Sequence, residues 1–152
     1  MPIPKQLRHF YRGPQYQAFR NALLNRSGNA CEQCHAPNRA RVFRSNLTEF
    51  AGWWWSEASG MAYDPRGNLQ AHLHAFAVME AHENADWRAV KIVLTAAHLN
   101  RVPGDDRPEN GKVLCQWCHL NYDLPQHVYN SKETRMTRKD AARPLLRREA
   151  AS

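Results

Sequence analysis

Four cysteines fall as two Cys-x-x-Cys pairs, Cys31-Glu32-Gln33-Cys34 and Cys115-Gln116-Trp117-Cys118. No other feature constrains the fold as strongly. Each such turn is tight enough to aim two thiolates at one ion, and two turns complete the tetrahedral set that a structural zinc takes. The spacing therefore predicts a structural Zn2+ held by Cys31, Cys34, Cys115 and Cys118, clamping together two distant parts of the chain. At 152 residues, one domain with a modest core profits from that staple. His119 follows the second pair directly and stands outside the set of four.

Charge narrows the class of partner. Lysine and arginine number 21 against 14 acidic residues, a formal net charge of +7 with pI near 9.6, so a polyanion is the natural ligand. No stretch approaches the ~18 apolar residues of a membrane span, and Met1-Pro2-Ile3-Pro4-Lys5 lacks the apolar centre of a signal peptide. A cytoplasmic location with no membrane partner follows as the expectation. In that reducing compartment thiols stay available to metal.

Along the chain, residues 1–13 read as an arm containing proline and arginine. Pro14 suits the first turn of a helix whose apolar face carries Phe19, Ala22, Leu23 and Leu24, with Gly28 as its left-handed cap. Residues from about 38 to 86 read as a long insertion with a hairpin or short helix of its own. Val90, Ile92, Val93, Leu94 and Thr95 predict one strand leading to His98, and Lys112-Val113-Leu114 a short partner strand. Between them, Asn100 to Gly111 is a polar loop rich in turn formers. Gln116 to Asp123 predicts a helix, and a second helix begins near Pro125 within a basic extension over 124–152.

The phrases Leu94-Thr95-Ala96-Ala97-His98-Leu99-Asn100, Pro108-Glu109-Asn110 and Leu114-Cys115-Gln116-Trp117-Cys118-His119 carry a family resemblance. In them the chain resembles the HNH endonucleases, the ββα-metal or His-Me finger nucleases, in the phage and bacterial branch with extra zinc knuckles. The likeness covers residues 90–123 and, more loosely, the helix and knuckle of 14–34. It implies an α+β fold: a small zinc-stapled ββα-metal domain over 14–123, with an N-terminal helix and a basic C-terminal helical tail. It further implies a metal-dependent endonuclease that hydrolyses phosphodiester bonds in duplex DNA, in a bacterial or phage-infected cell. His98 falls on the general base, Asn110 on the residue that orients it, and His119 on a ligand of the catalytic divalent ion, Mg2+ or Mn2+.

Two departures from that pattern matter. The position before the base usually ligates the metal, but here it is Ala97, which coordinates nothing. Many relatives with that alanine carry histidine where this chain has Arg101, which cannot ligate a metal but can grip a phosphate. Asp123 lies four residues after His119, so a helix stacks the two side chains on one face, and the colicin nucleases, a related group, use a His-x-x-x-His pair in that register. His119 and Asp123 are thus the expected pair of ligands, with a helix-end or capping role as the alternative for Asp123. Asp105 and Asp106 read as turn formers with metal recruitment as the alternative, His127 as a solvated side chain or a contact to phosphate or metal, His72, His74 and His82 as surface or core residues, and Trp53-Trp54-Trp55 as core or a lid over the zinc.

Arg101, Lys132, Arg135, Arg138 and Lys139 are the candidate DNA contacts, backed by Arg143, Arg147, Arg148 and the arm's Lys5, Arg8 and Arg12. Such residues neutralise backbone phosphates without reading bases, which implies nicking or weakly specific cleavage. A rival expectation is a zinc-stapled DNA-binding module whose nuclease site has decayed, or an accessory subunit serving a partner protein or a second copy.

Overall fold

The computed structural model of the protein describes residues 5–45, 47–70 and 87–149. It is α+β and divides into two compact units, Met1–His119 and Leu120–Ser152. In the first unit a 3-10 turn, Lys5–Tyr11, precedes helix α1, Pro14–Arg26. Gly28 adopts φ 61°, and the helix closes with Gly28 N–H donating to Asn25 O at 3.2 Å and Asn29 N–H to Leu24 O at 2.9 Å. These bonds satisfy carbonyls that a helix end otherwise leaves open. Phe19 and Leu23, one turn apart, form the buried stripe, whereas Ala22, expected on that face, is exposed.

Strands β1 (Arg41–Ser45), β2 (Trp54–Ser56), β3 (Ala62–Tyr63) and β4 (Trp87–Lys91) form an antiparallel sheet in the order β3-β2-β1-β4. Aromatic pairs hold its register: Phe43 stacks on its cross-strand partner Trp55 at 4.2 Å between centroids, and Trp54 on Tyr63 at 4.3 Å. The segment expected to carry a lone hairpin or short helix therefore supplies three strands of a larger sheet. Its residues 71–86, with His72, His74 and His82, lie outside the described residues.

Strands β5 (Leu94–His98) and β6 (Gly111–Cys115) form a separate antiparallel hairpin, registered from Leu94↔Cys115 to His98↔Gly111. The single strand expected through Val90–Thr95 is in fact two, because the chain changes sheets at Ile92-Val93. Ile92 is fully buried there, donating its N–H to Ala40 O at 2.8 Å and accepting from Arg39 N–H at 2.9 Å. Gln116 bridges the change, donating to Lys91 O at 2.8 Å and accepting from Val93 N–H at 3.1 Å. An unbroken apolar run cannot reveal such a switch, since both strands are partly buried.

Helix α1 closes on the hairpin at Gly111, where an added Cβ would lie 2.5 Å from Leu23 Cδ1 and 2.5 Å from Phe19 Cζ. Arg26, at the end of α1, donates to the Glu32 carboxylate, to Pro108 O at 2.9 Å and to Gly111 O at 2.8 Å. Helix α2, Gln116–Glu149, starts directly after β6. It runs through Pro125 without the expected break, although an interior proline removes one intrahelical hydrogen bond and crowds the carbonyl four residues back. Leu120–Ser152, the second unit, belongs to this helix as far as Glu149. Among the described residues no helix is long and apolar enough to cross a membrane.

Candidate functional site

Cys31 and Cys34 lie in the turn after α1, Cys115 ends β6, and Cys118 sits in the first turn of α2. All four are buried, with their sulfurs within 4.8 Å of one another and Cys34 Sγ 3.7 Å from Cys115 Sγ. A tetrahedral ion with metal–sulfur bonds of about 2.3 Å separates its ligands by about 3.8 Å, so the group is close enough to hold one metal ion. Cys115 N–H donates to Cys31 Sγ at 3.3 Å, which ties the second pair to the first. Hydrogen bonding with Cys115 and Cys118 draws the Cys34 thiol down to about 6 and Cys31 lower still, while bonds to Cys115, Cys31 and Cys34 push Cys118 far above its ordinary range. Four crowded thiols cannot all ionise against one another; a central divalent cation removes that conflict.

Arg44 of β1 reaches the same sulfurs. Its residue is only 6% exposed, and its Nη2 lies 3.1 Å from Cys115 Sγ and 3.4 Å from Cys34 Sγ, while Nη1 donates to Gly52 O at 3.1 Å. The guanidinium also sits 5.7 Å from the centre of the Trp117 ring. Trp54 donates its indole N–H to Cys34 O at 3.1 Å, so one member of the tryptophan triplet packs directly behind the cysteine turn.

His98 ends β5, and its Nε2 is 2.8 Å from Asp106 Oδ1, both side chains nearly enclosed at 5% and 6% exposure. Phe19 stacks on the imidazole at 5.0 Å, while Tyr11 and Tyr16 flank it at 6.2 Å each. Burial and the neighbouring Tyr11 raise the Tyr16 phenol above its ordinary range. Asn110 spans the loop after His98: its amide donates to Asn100 Oδ1 at 3.0 Å and Asp105 O at 2.9 Å, and its Oδ1 accepts from Asn100 N–H at 3.1 Å. The Leu99 N–H to Asn110 O bond, 2.8 Å, closes the loop's mouth. Asp105 is tied to Arg107 at 2.7 Å and to Asn100, and these bonds hold its carboxyl below the usual range. It thus acts as the turn former the sequence suggests, whereas Asp106 instead turns inward to His98.

His119, in the first turn of α2, shares a 2.9 Å hydrogen bond through Nδ1 with Thr95 Oγ1. Side chains alternate along β5, so Thr95 and Ala97 lie on the strand face that meets His119, and His98 on the face that meets α1. The structure thus brings His98 together with Asp106, and His119 together with Thr95, on opposite strand faces. Ala97, which offers no ligand atom, shares the strand face of Thr95.

Arg101 is exposed, has φ 59°, and donates its N–H to His98 O at 3.1 Å. Within the second unit Asp123 and His127 are half-buried, and Lys132, Arg135 and Arg138 are exposed; Lys139 lies in the helix with its side chain outside the description. Neither protein-family models, nor curated proteins, nor solved structures match this chain. Two residues of the site escaped the sequence reading. Asp106 was hidden in a Gly-Asp-Asp turn, and Arg44 in a strand whose inward face would ordinarily be apolar.

Proposed function

We propose that the protein is a metal-dependent endonuclease of the HNH, ββα-metal type that hydrolyses phosphodiester bonds in DNA, nicking or cutting with little sequence preference. The observation that carries this reading is the order hairpin then helix, in which His98 closes β5, Asn110 directly precedes β6 and His119 opens α2. Asp106 fixes a proton on His98 Nε2, which leaves Nδ1 as the basic nitrogen that takes a proton from the attacking water. Asn110 acts by positioning, since its three hydrogen bonds set the loop that carries Asp106. His119, whose ring is held through Nδ1 by Thr95, is the proposed metal ligand, and Asp123, four residues on in the same helix, is its proposed companion. A magnesium or manganese ion held there supplies positive charge to the scissile phosphate. Zinc in the four-cysteine centre is structural in this reading. Arg101 and the exposed Lys132, Arg135 and Arg138, with Lys139, neutralise DNA phosphates.

The enclosure of His98 beneath Tyr11, Tyr16 and Phe19, and its place on the strand face opposite His119, favour a second reading, a DNA-binding module that no longer cuts. Supercoiled plasmid incubated with the zinc-loaded protein plus magnesium or manganese separates the two. Nicking that disappears in His98→Ala is the expected result; no nicking, or equal nicking by the variant, rejects the enzyme.

A further inference from the structure

Arg44 is a cation that cannot shed its proton, and at 6% exposure it has little access to water. Such a charge is stable inside a protein only against an opposite charge or strong acceptors. Its Nη2 is directed at two sulfurs, Cys115 at 3.1 Å and Cys34 at 3.4 Å, and Nη1 at the Gly52 carbonyl. A neutral thiol is a weak acceptor, whereas a metal-bound thiolate is a strong one. One divalent ion and four thiolates carry a net charge of about −2, of which a guanidinium cancels half. The Arg44 position is also fixed from outside the cysteine set: Gly52, at φ 81°, has room for no Cβ, which would fall 2.4 Å from Trp117. The β1 strand, the Gly52 turn and the start of α2 together hold the guanidinium on one edge of the centre.

We propose that Arg44 is the charge-balancing partner of the cysteine centre, protecting the thiolates of Cys34 and Cys115 from electrophiles. This rests on the reading that the four cysteines hold a metal. Cationic N–H groups at a sulfur withdraw electron density from its lone pairs, so Cys34 and Cys115 react more slowly than the same ligands without Arg44. The relevant step with N-ethylmaleimide is attack of a thiolate on the alkene carbon, forming a carbon–sulfur bond while solvent protonates the resulting enolate. The alkylated sulfur then no longer holds zinc as a thiolate, and the ion is released. Loss of an outer-shell partner changes the affinity or activity of a metal site by about 10- to 100-fold, and the lower end, about tenfold, is the change expected in rate.

The test uses the full-length zinc-loaded protein, the variant Arg44→Met and a chromogenic zinc chelator. Zinc release by N-ethylmaleimide is expected to be about tenfold faster in Arg44→Met. Mass spectrometry at low conversion should place the added alkylation on Cys34 and Cys115. Equal release rates, or faster alkylation confined to Cys31 and Cys118, overturn the role given to Arg44. Wild-type protein containing no zinc overturns the metal reading and this one together, while one zinc per chain with equal rates overturns this one alone. Should Arg44→Met fail to fold, cadmium-113 loading of the wild-type protein with nitrogen-15-labelled arginine serves instead. A scalar coupling between cadmium and the Arg44 guanidinium protons across N–H···S is the expected signal, and its absence rejects the contact.

Discussion

Replacing Asp106 by alanine should destabilise the first unit by about 2 kcal/mol, because it strands a buried donor. The 2.8 Å bond from His98 Nε2 lies between side chains only 5% and 6% exposed, so water cannot take the place of the lost carboxylate without opening the loop. An unsatisfied buried polar group costs about 1–3 kcal/mol, and the Phe19 ring stacked on the imidazole at 5.0 Å restrains any swing of His98 towards solvent. About 2 kcal/mol corresponds to about 6 °C in Tm for a chain of this size. Urea unfolding followed by tryptophan fluorescence, at saturating zinc, measures the change. The substitution D106N retains an acceptor of the same shape and should cost about 1 kcal/mol or less. His98→Ala and the double variant complete a cycle whose coupling should be at least about 1 kcal/mol. Costs that add to within about 0.3 kcal/mol would show that the two residues do not act as a pair, and would remove Asp106 from the proposed mechanism.

Two other predictions concern the scaffold. Gly111→Ala should cost about 1–3 kcal/mol, because its Cβ would sit 2.5 Å from both Leu23 and Phe19; an unchanged urea midpoint would contradict the close packing of α1 on β6. One tightly bound zinc per chain should be found by elemental analysis and be lost in Cys34→Ser. Stripping it with a strong chelator should abolish the near-ultraviolet circular dichroism of the tryptophans, and a signal that survives complete removal would mean that the metal does not hold the fold.

What the sequence discloses and what it hides differ for physical reasons. The cysteine spacing, the left-handed Gly28 cap and the short β6 strand are local patterns, legible because each is decided by neighbouring residues. The place where β4 yields to β5 is not local. It depends on Gln116 bonding both Lys91 and Val93 from more than twenty positions away, and the apolar run around Ile92 gives no sign of it. Arg44 is hidden for a similar reason: its acceptors are sulfurs 10 and 71 residues distant, so β1 taken alone reads as a strand with a stray charge. Asp106 differs from Asp105 only in the direction its side chain takes within one loop, which turn composition cannot decide.

Cys34 and Cys115 stand 81 positions apart, so an ion held by both would turn the intervening chain into one closed ring. Ring closure in a flexible polymer depends only logarithmically on contour length, and doubling the ring costs about 0.6 kcal/mol. Lengthening or trimming a flexible loop between the two knuckles therefore changes the closure cost little, and the knuckles themselves do little to restrict it. The restriction comes from Arg44, which lies inside the ring and has to return to the junction where the ring is closed. Chain may be added or removed wherever β1 keeps its register, but a one-residue slip of β1 would turn Arg44 to the opposite sheet face and leave the junction without its cation.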